Sequence, residues 1–152
     1  MERITCPSSL TEIGDGAFYD CNGLREVVLN EGLKEIGKSS FASCPSLERF
    51  ACPSTLTEIG VCAFTNCYGL REVAFSKGLE KIGERAFACC RSLEKIACPS
   101  SLTEIGDRAF SRCVELRKVA LNEGLKKIWW GAFEYCKSLE GIACPSTLTE
   151  IG

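Results

Sequence analysis

The chain has 152 residues, of which 25% are charged, and a formal net charge of −2 at pH 7. This balance favours neither nucleic acid nor an anionic membrane as a partner. No stretch approaches the ~18 consecutive apolar residues of a membrane span. The absence of histidine excludes every catalytic triad or metal site that needs an imidazole.

The N-terminal sequence and the cysteine content bear on location. The first residues, Met-Glu-Arg-Ile-Thr-Cys, contain no apolar signal segment. Twelve cysteines without a signal are typical of reduced core residues, which favours a cytoplasmic location. The chain begins and stops within its repeat, so a cell-surface location is the alternative if it is a fragment of a longer protein.

The sequence repeats every 23 residues without an insertion or deletion. Five columns recur, and they start at Leu10, Ile13, Phe18, Cys21 and Leu24. A short unit of fixed period cannot bury its apolar face alone and must stack on its neighbours. We therefore predict one solenoid over residues 1–152, with six full coils and a partial coil at each end.

The first half of each coil is predicted to be an extended segment followed by a turn. Leu10 and Ile13 would both face inward. Gly14 and its equivalents in the next four coils predict a positive φ or a tight corner. Residues 16–21, Gly-Ala-Phe-Tyr-Asp-Cys, predict a single helical or 3₁₀ turn that is too short to count as a full helix.

The second half of each coil is predicted to be a strand. Val27 and Leu29 would share its buried face and Val28 would point outward, because successive strand residues alternate. The equivalents of Val28 are Ala51, Ala74, Ala97, Ala120 and Ala143. The fold class is therefore an α/β repeat solenoid, with a parallel β-sheet on one face and short strands and turns on the other.

The repeat carries a family signature. It reads Ile-Gly-x-x-Ala-Phe-x-x-Cys-x-x-Leu-x-x-Ile-x-x-Pro in residues 82–99 and, more loosely, in the other coils. This pattern resembles the BspA-type leucine-rich repeats over essentially the whole chain. The resemblance implies a right-handed leucine-rich-repeat solenoid used for protein binding, often on microbial cell surfaces, and it implies no catalytic site.

The cysteines fall into columns. Six form a ladder that starts at Cys21, and the absence of a Cys-x-x-Cys motif favours buried, unbridged thiols over a metal or redox site. A second set, starting at Cys6, alternates with apolar residues and is expected to fill core positions. Cys62 and Cys89 lie outside both columns and are predicted to be the most exposed thiols.

Two charged columns flank the predicted strand, one starting at Arg25 and the other at Glu26, and their signs mostly alternate from coil to coil. The alternation favours exposed ion pairs between coils, each worth ~0–1 kcal/mol, over a docking face. It fails at Lys95 and Lys118, which predict a small basic spot. The stripe of alanines that Val28 begins has two open interpretations, a binding strip or a space for large neighbours.

Trp129 and Trp130 interrupt the repeat, since six other coils carry glycine at the position of Trp129. Tryptophan is enriched at binding hot spots, so one interpretation is an exposed aromatic anchor that Tyr135 shares. The other interpretation is that the tryptophans cover the last coils or pack against a neighbouring chain.

Two columns beside the turns vary widely in residue type, which favours binding at this edge. They contain an arginine and a tyrosine each. Together with the tryptophans, the candidate partner-binding residues are Trp129, Trp130, Tyr135, Arg112, Tyr68 and Arg91.

We predict a scaffold that recognises a protein partner through its extended surface, without chemistry. Acidic pairs recur as repeat columns rather than as one active site, so we expect no enzyme, no cofactor and no metal. The alternative is a structural spacer or a segment of a longer array. Because residues 6–14 and 144–152 are near copies, end-to-end self-association is a further expectation.

Overall fold

The computed structural model describes residues 2–152, which form a parallel β-solenoid. Each of the first five full coils contributes a short strand to each of two parallel sheets, and the sixth contributes one strand and a single β-bridge between Ile142 and Val119. We number the full coils 1 to 6, and they span residues 10–32, 33–55, 56–78, 79–101, 102–124 and 125–147. The strands, in chain order, are β1 (Arg3–Thr5), β2 (Glu12–Ile13), β3 (Glu26–Val28), β4 (Glu35–Ile36), β5 (Arg49–Ala51), β6 (Glu58–Ile59), β7 (Glu72–Ala74), β8 (Lys81–Ile82), β9 (Lys95–Ala97), β10 (Glu104–Ile105), β11 (Lys118–Ala120), β12 (Lys127–Ile128) and β13 (Glu150–Ile151).

The 23-residue period is also the register of both sheets. The first sheet has the order β1-β3-β5-β7-β9-β11, and the second has the order β2-β4-β6-β8-β10-β12-β13. In the first sheet Ile4 pairs with Val27, and in the second Ile105 pairs with Ile128. The predicted alternation is confirmed: Val27 is buried, whereas the alanines that follow Val28 in its column are exposed.

Phenylalanine rings fill the centre of the stack. From Phe18 to Phe133, successive rings stack with centroid distances of 5.1–5.5 Å. The four central side chains are completely buried, namely Phe41, Phe64, Phe87 and Phe110. Because each ring contacts rings of the coils above and below, the core is continuous along the solenoid axis.

The turns contain no helix, so the helical part of the predicted α/β class is wrong for residues 2–152. In coil 1 the N–H of Ala17 donates to the carbonyl of Gly14 at 3.3 Å, as in a tight turn. The next N–H, that of Phe18, instead donates to the carbonyl of Ser40 in coil 2 at 2.7 Å. Local and inter-coil bonds thus alternate, and the positive φ of Gly16 ends any helical run.

Of the two predictions for Gly14 and its equivalents, the positive φ is wrong and the tight corner is confirmed, since each of these residues opens a turn. The column also allows close approach between coils. A Cβ on Gly83 would lie 2.8 Å from the carbonyl carbon of Gly60 and 2.9 Å from the carbonyl oxygen of Ile59. At Gly14 itself no atom lies within 4 Å of the added Cβ. Glycine lets the backbones of stacked coils touch at this corner.

The cysteine ladder hydrogen bonds from coil to coil. The thiol of Cys67 lies 3.1 Å from the carbonyl oxygen of Phe41, and the thiol of Cys90 lies 3.2 Å from that of Phe64. The same contact recurs at each step of the ladder, and all twelve cysteines are free. Burial raises the pKa of the Cys67 thiol to about 12, so the thiol retains the proton that it donates.

The exposure of the other cysteines departs from prediction. Cys62 and Cys89 are only half-buried, and Cys144 is the exposed thiol of the chain. Cys144 belongs to the column of Cys6 and Cys98, both of which are buried. Their strands are covered by the next coil, whereas residues 2–152 place no further coil over Cys144.

Candidate partner-binding face

Two columns at the turns have left-handed backbone. The first turn column comprises Gly16, Ser39, Cys62, Arg85, Arg108 and Gly131, with φ between 51° and 61°. The second turn column comprises Asp20, Ser43, Asn66, Cys89, Arg112 and Tyr135, with φ between 57° and 62°. Glycine, asparagine and aspartate tolerate this conformation, whereas for most other residues it costs about 1 kcal/mol or more because of their Cβ. The backbone therefore does not explain the arginines and the tyrosine of coils 4 to 6.

An arginine and a tryptophan of adjacent coils stack at the first turn column. The guanidinium carbon of Arg108 lies 4.1 Å from the ring centroid of Trp130. The Nε of Arg108 also donates to the Oε2 of Glu134 at 3.2 Å. The Trp130 side chain nevertheless remains 56% exposed, so the arginine fixes the ring without covering it.

A second pair of the same kind lies at the second turn column. The guanidinium carbon of Arg112 lies 5.3 Å from the ring centroid of Tyr135, which is 57% exposed. Within residues 2–152, no carboxylate lies within ion-pair distance of Arg112. We call Arg108, Arg112, Trp130, Glu134 and Tyr135 the aromatic–arginine face.

Four residues of this face also line a pocket of about 380 Å³. Three arginines line it, and we call it the arginine pocket. It is lined by Thr65, Arg85, Ala88, Cys89, Arg108, Ser111, Arg112, Glu134 and Tyr135. Arg85, Arg108 and Glu134 were not among the predicted site residues. The available signal for the two arginines was a large charged residue in a column that holds glycine, serine or cysteine in other coils, and for Glu134 it was a charge in a column of uncharged residues.

The two tryptophans lie in different surroundings. The indole Nε1 of Trp129 donates to the Oε1 of Glu104 at 2.8 Å, and the ammonium of Lys127 lies 5.1 Å from the Trp129 ring. Trp129 is half-buried beside the second sheet, where it lines a separate groove. This contact set fits the covering interpretation for Trp129, whereas the exposure of Trp130 fits the anchor interpretation.

Tyr68 and Arg91 form a pair of their own on coils 3 and 4. The Arg91 guanidinium carbon lies 5.0 Å from the Tyr68 ring centroid, and Tyr68 is 41% exposed. Neither residue lines the arginine pocket. The structure thus joins four of the predicted residues in two separate cation–π pairs between successive coils. Trp130 pairs with Arg108, which was not predicted, and Trp129 lies apart.

The outer face of the first sheet is the alternative candidate for a partner-binding surface. The alanine stripe is exposed there, and one shallow groove of about 430 Å³ runs over Ala74, Ala97 and Ala120. Of the predicted ion-pair ladder, Arg49–Glu72 is present at 3.9 Å, together with one pair at the first strand. Lys95 and Lys118 stand in register on adjacent strands, as predicted for the basic spot.

Residues 2–152 contain no cluster of three metal-ligating side chains. They also form no helix that is long and apolar enough to cross a membrane. Stacked 23-residue coils that place one strand in each of two parallel sheets define a leucine-rich-repeat solenoid.

Comparison with known families identifies the kind of repeat. Six copies of the BspA type leucine rich repeat region match residues 1–96 and 36–152. The chain belongs to this family. Its repeats are commonly protein-interaction scaffolds, and the leucine-rich-repeat fold is typically non-enzymatic. No curated protein gives a significant match to the chain.

Solved structures of bacterial leucine-rich-repeat proteins share the fold. A leucine-rich-repeat protein of T. pallidum is 34% identical, with a TM-score of 0.93 over 98% of this chain and 72% of its own. One from Eubacterium ventriosum is 26% identical, with a TM-score of 0.92 over 99% of this chain and 41% of its own. The pneumococcal vaccine antigen PcpA is 25% identical, with a TM-score of 0.66 over 97% of this chain and 51% of its own. The chain thus spans about half or less of the last two proteins.

Proposed function

We propose that this chain recognises a protein partner through the aromatic–arginine face. The observation that carries the proposal is the exposure of two aromatic rings, Trp130 and Tyr135, each held by an arginine of the preceding coil. Tryptophan, tyrosine and arginine are the residues that most often dominate binding energy in protein interfaces. No core contact requires these side chains at the turns.

The backbone beneath the face supports the proposal because it is already ordered. The N–H of Arg108 donates to the carbonyl of Trp130 at 2.8 Å, and the N–H of Arg112 donates to that of Glu134 at 2.8 Å. Association normally costs free energy for ordering loops and side chains at the interface. A face built on bonded coils avoids much of that cost.

A structural spacer is the alternative function, and the turn columns argue against it. A spacer needs no long side chains at these turns, because serine and cysteine adopt the same left-handed backbone in other coils. In coils 1 to 3 both columns hold only Gly, Asp, Ser, Asn or Cys. In coils 4 to 6 they hold three arginines and a tyrosine, so the change is concentrated on one part of the solenoid.

Selection of binding peptides from a displayed random library tests the proposal without knowledge of the partner. We expect the selected peptides to bind Trp130→Ala and Tyr135→Ala about tenfold or more weakly than wild type, which corresponds to about 1.4 kcal/mol. Tyr19→Ala is the matched control, because Tyr19 is a 60% exposed ring on coil 1. The Tyr19→Ala variant should bind the selected peptides with the same affinity as wild type.

Two outcomes would contradict the proposal. One is a set of peptides that bind all three alanine variants equally well. The other is a library that yields no binder at all. Thermal unfolding of each variant shows whether it is folded, so that a loss of affinity is not mistaken for a loss of structure.

A further inference from the structure

We infer that the arginine pocket is a carboxylate site, which accepts an aspartate or glutamate side chain from an acidic segment of the protein partner. The inference deepens the proposed function and rests on it. It names the chemistry of the partner segment that lies next to Trp130 and Tyr135.

The charge of the pocket is the first argument. Arg85, Arg108 and Arg112 line it, and Glu134 is the sole carboxylate among its lining residues. Three positive charges and one negative charge leave a local charge of +2 on a chain whose net charge is −2. A concave site lined by one sign of charge raises the local concentration of opposite charge.

The unused hydrogen-bond donors are the second argument. Arg108 is engaged by Glu134 at 3.2 Å, and Arg85 has only the exposed Glu84 at 3.8 Å. Arg112 has no ion-pair partner within residues 2–152. A guanidinium carries five N–H donors in a planar fork that matches the two oxygens of a carboxylate. Arg85 and Arg112 therefore offer donors that the chain itself does not use.

The size and surroundings of the pocket favour a peptide side chain over a polyanion. At about 380 Å³ it lies at the lower end of the range for small-ligand sites. Glu84 and Asp107 flank the arginines in sequence and are both exposed. A nucleic acid backbone, with a charge at every nucleotide, would meet these acids, whereas a single carboxylate would not. The exposed rings of Trp130 and Tyr135 would cover apolar residues next to that carboxylate.

Replacement of two arginines by residues that the repeat already uses tests the inference. Arg85→Ser copies Ser39, and Arg112→Asn copies Asn66, so each variant carries a residue that another coil accommodates at the same positive φ. Arg71→Gln removes one positive charge, as each single replacement does, from an exposed arginine outside the pocket and is the control. We expect peptides selected on wild type to be rich in Asp and Glu. The double variant should bind them about tenfold or more weakly, and Arg71→Gln should bind them unchanged.

A chemical readout at the pocket complements the affinities. Cys89 is half-buried and lines the pocket, whereas Cys144 is exposed on coil 6 and does not line it. A bound acidic peptide should slow alkylation of Cys89 by iodoacetamide several-fold and leave the rate at Cys144 unchanged. Mass spectrometry of the two cysteine-containing peptides reports both rates in one sample.

The inference is overturned if the selected peptides show no acidic enrichment, or if the double variant binds them as wild type does. It is also overturned if a single-stranded oligonucleotide displaces the peptides, because nucleic acid would then be the ligand of the pocket. If Trp130→Ala abolishes binding while the arginine variants retain it, the proposed function stands and only the carboxylate site falls. If neither Trp130→Ala nor the arginine variants lose affinity, both the proposed function and the carboxylate site are excluded.

Discussion

The guanidinium of Arg108 in coil 5 lies over the exposed ring of Trp130 in coil 6, 4.1 Å from its centroid, and donates to Glu134, which is also in coil 6. The most exposed tryptophan of the chain is therefore positioned by a residue 22 places earlier in the sequence. Its conformation depends on the stacking of two coils rather than on either coil alone. We infer that anything that loosens the stack also disorders the aromatic–arginine face.

Removal of a central ring should loosen the stack. Phe87 is completely buried between Phe64 and Phe110, with centroid distances of 5.1 and 5.3 Å. We expect Phe87→Ala to lower the free energy of unfolding by about 3–5 kcal/mol, as measured by urea denaturation. Phe133→Ala should cost less, because this ring is only partly buried. A loss of less than about 1 kcal/mol at Phe87 would show that the ring column does not hold the core.

The addition of one methyl group should affect stability differently at two glycines of the same column. At Gly83 an added Cβ meets the backbone of the neighbouring coil at 2.8 Å, whereas at Gly14 it meets nothing within 4 Å. We expect Gly83→Ala to destabilise the chain by about 1–3 kcal/mol and Gly14→Ala to change stability by less than about 0.5 kcal/mol. Equal melting temperatures of the two variants would refute close approach as the reason for the glycine column.

Buried thiols make stability depend on alkaline pH. Burial raises the pKa of Cys98 to about 12 from an ordinary value of 9.0. Between these values the unfolded chain loses protons that the folded chain keeps, so stability is complete below pH 9 and falls as the pH rises toward 12. Each such thiol contributes a fall of about 1.4 kcal/mol per pH unit in this window. Urea midpoints measured from pH 8 to 11 should therefore fall less steeply for Cys98→Ala than for wild type. If the urea midpoints of the two proteins fall equally steeply with pH, Cys98 is not a buried thiol with a raised pKa.

The two end strands of the second sheet are each paired on one side only within residues 2–152. These strands are β2 and β13, and Ile151 of β13 is 64% exposed. Unpaired strand edges favour pairing with another chain, and a head-to-tail contact of this kind need not close. We predict that the mass of the 152-residue chain in light scattering rises with concentration, and that Ile151→Lys reduces the rise. A monomer at all concentrations would exclude this association.

The repeat columns were enough to predict the core and the register. An indel-free period of 23 residues forces Ile105 over Ile128 and Phe87 over Phe64, and the structure has both contacts. The inward direction of Val27 followed from strand alternation alone. These features depend only on which residues are apolar and on their spacing.

The turns were not predictable in the same way. The backbone there alternates bonds within a coil and between coils, and this decides which residues have positive φ. Sequence reasoning offered Gly14 a positive φ or a tight corner, and in coil 1 the positive φ occurs instead at Gly16, two residues later. The roles of Arg85 and Glu134 were missed for a related reason, because they arise from side chains that meet only after coils have stacked.

The central claim is that recognition takes place at the aromatic–arginine face, and the two indole N–H groups of the chain test it directly. In ¹⁵N-labelled protein, saturation with the best selected peptide should shift the indole resonance of Trp130. The resonance of Trp129, whose Nε1 is bonded to Glu104 at 2.8 Å, should stay in place. The account also predicts unchanged backbone amides at Ala74, Ala97 and Ala120 on the sheet face. Shifts confined to those alanines, with the Trp130 indole unmoved, would contradict it.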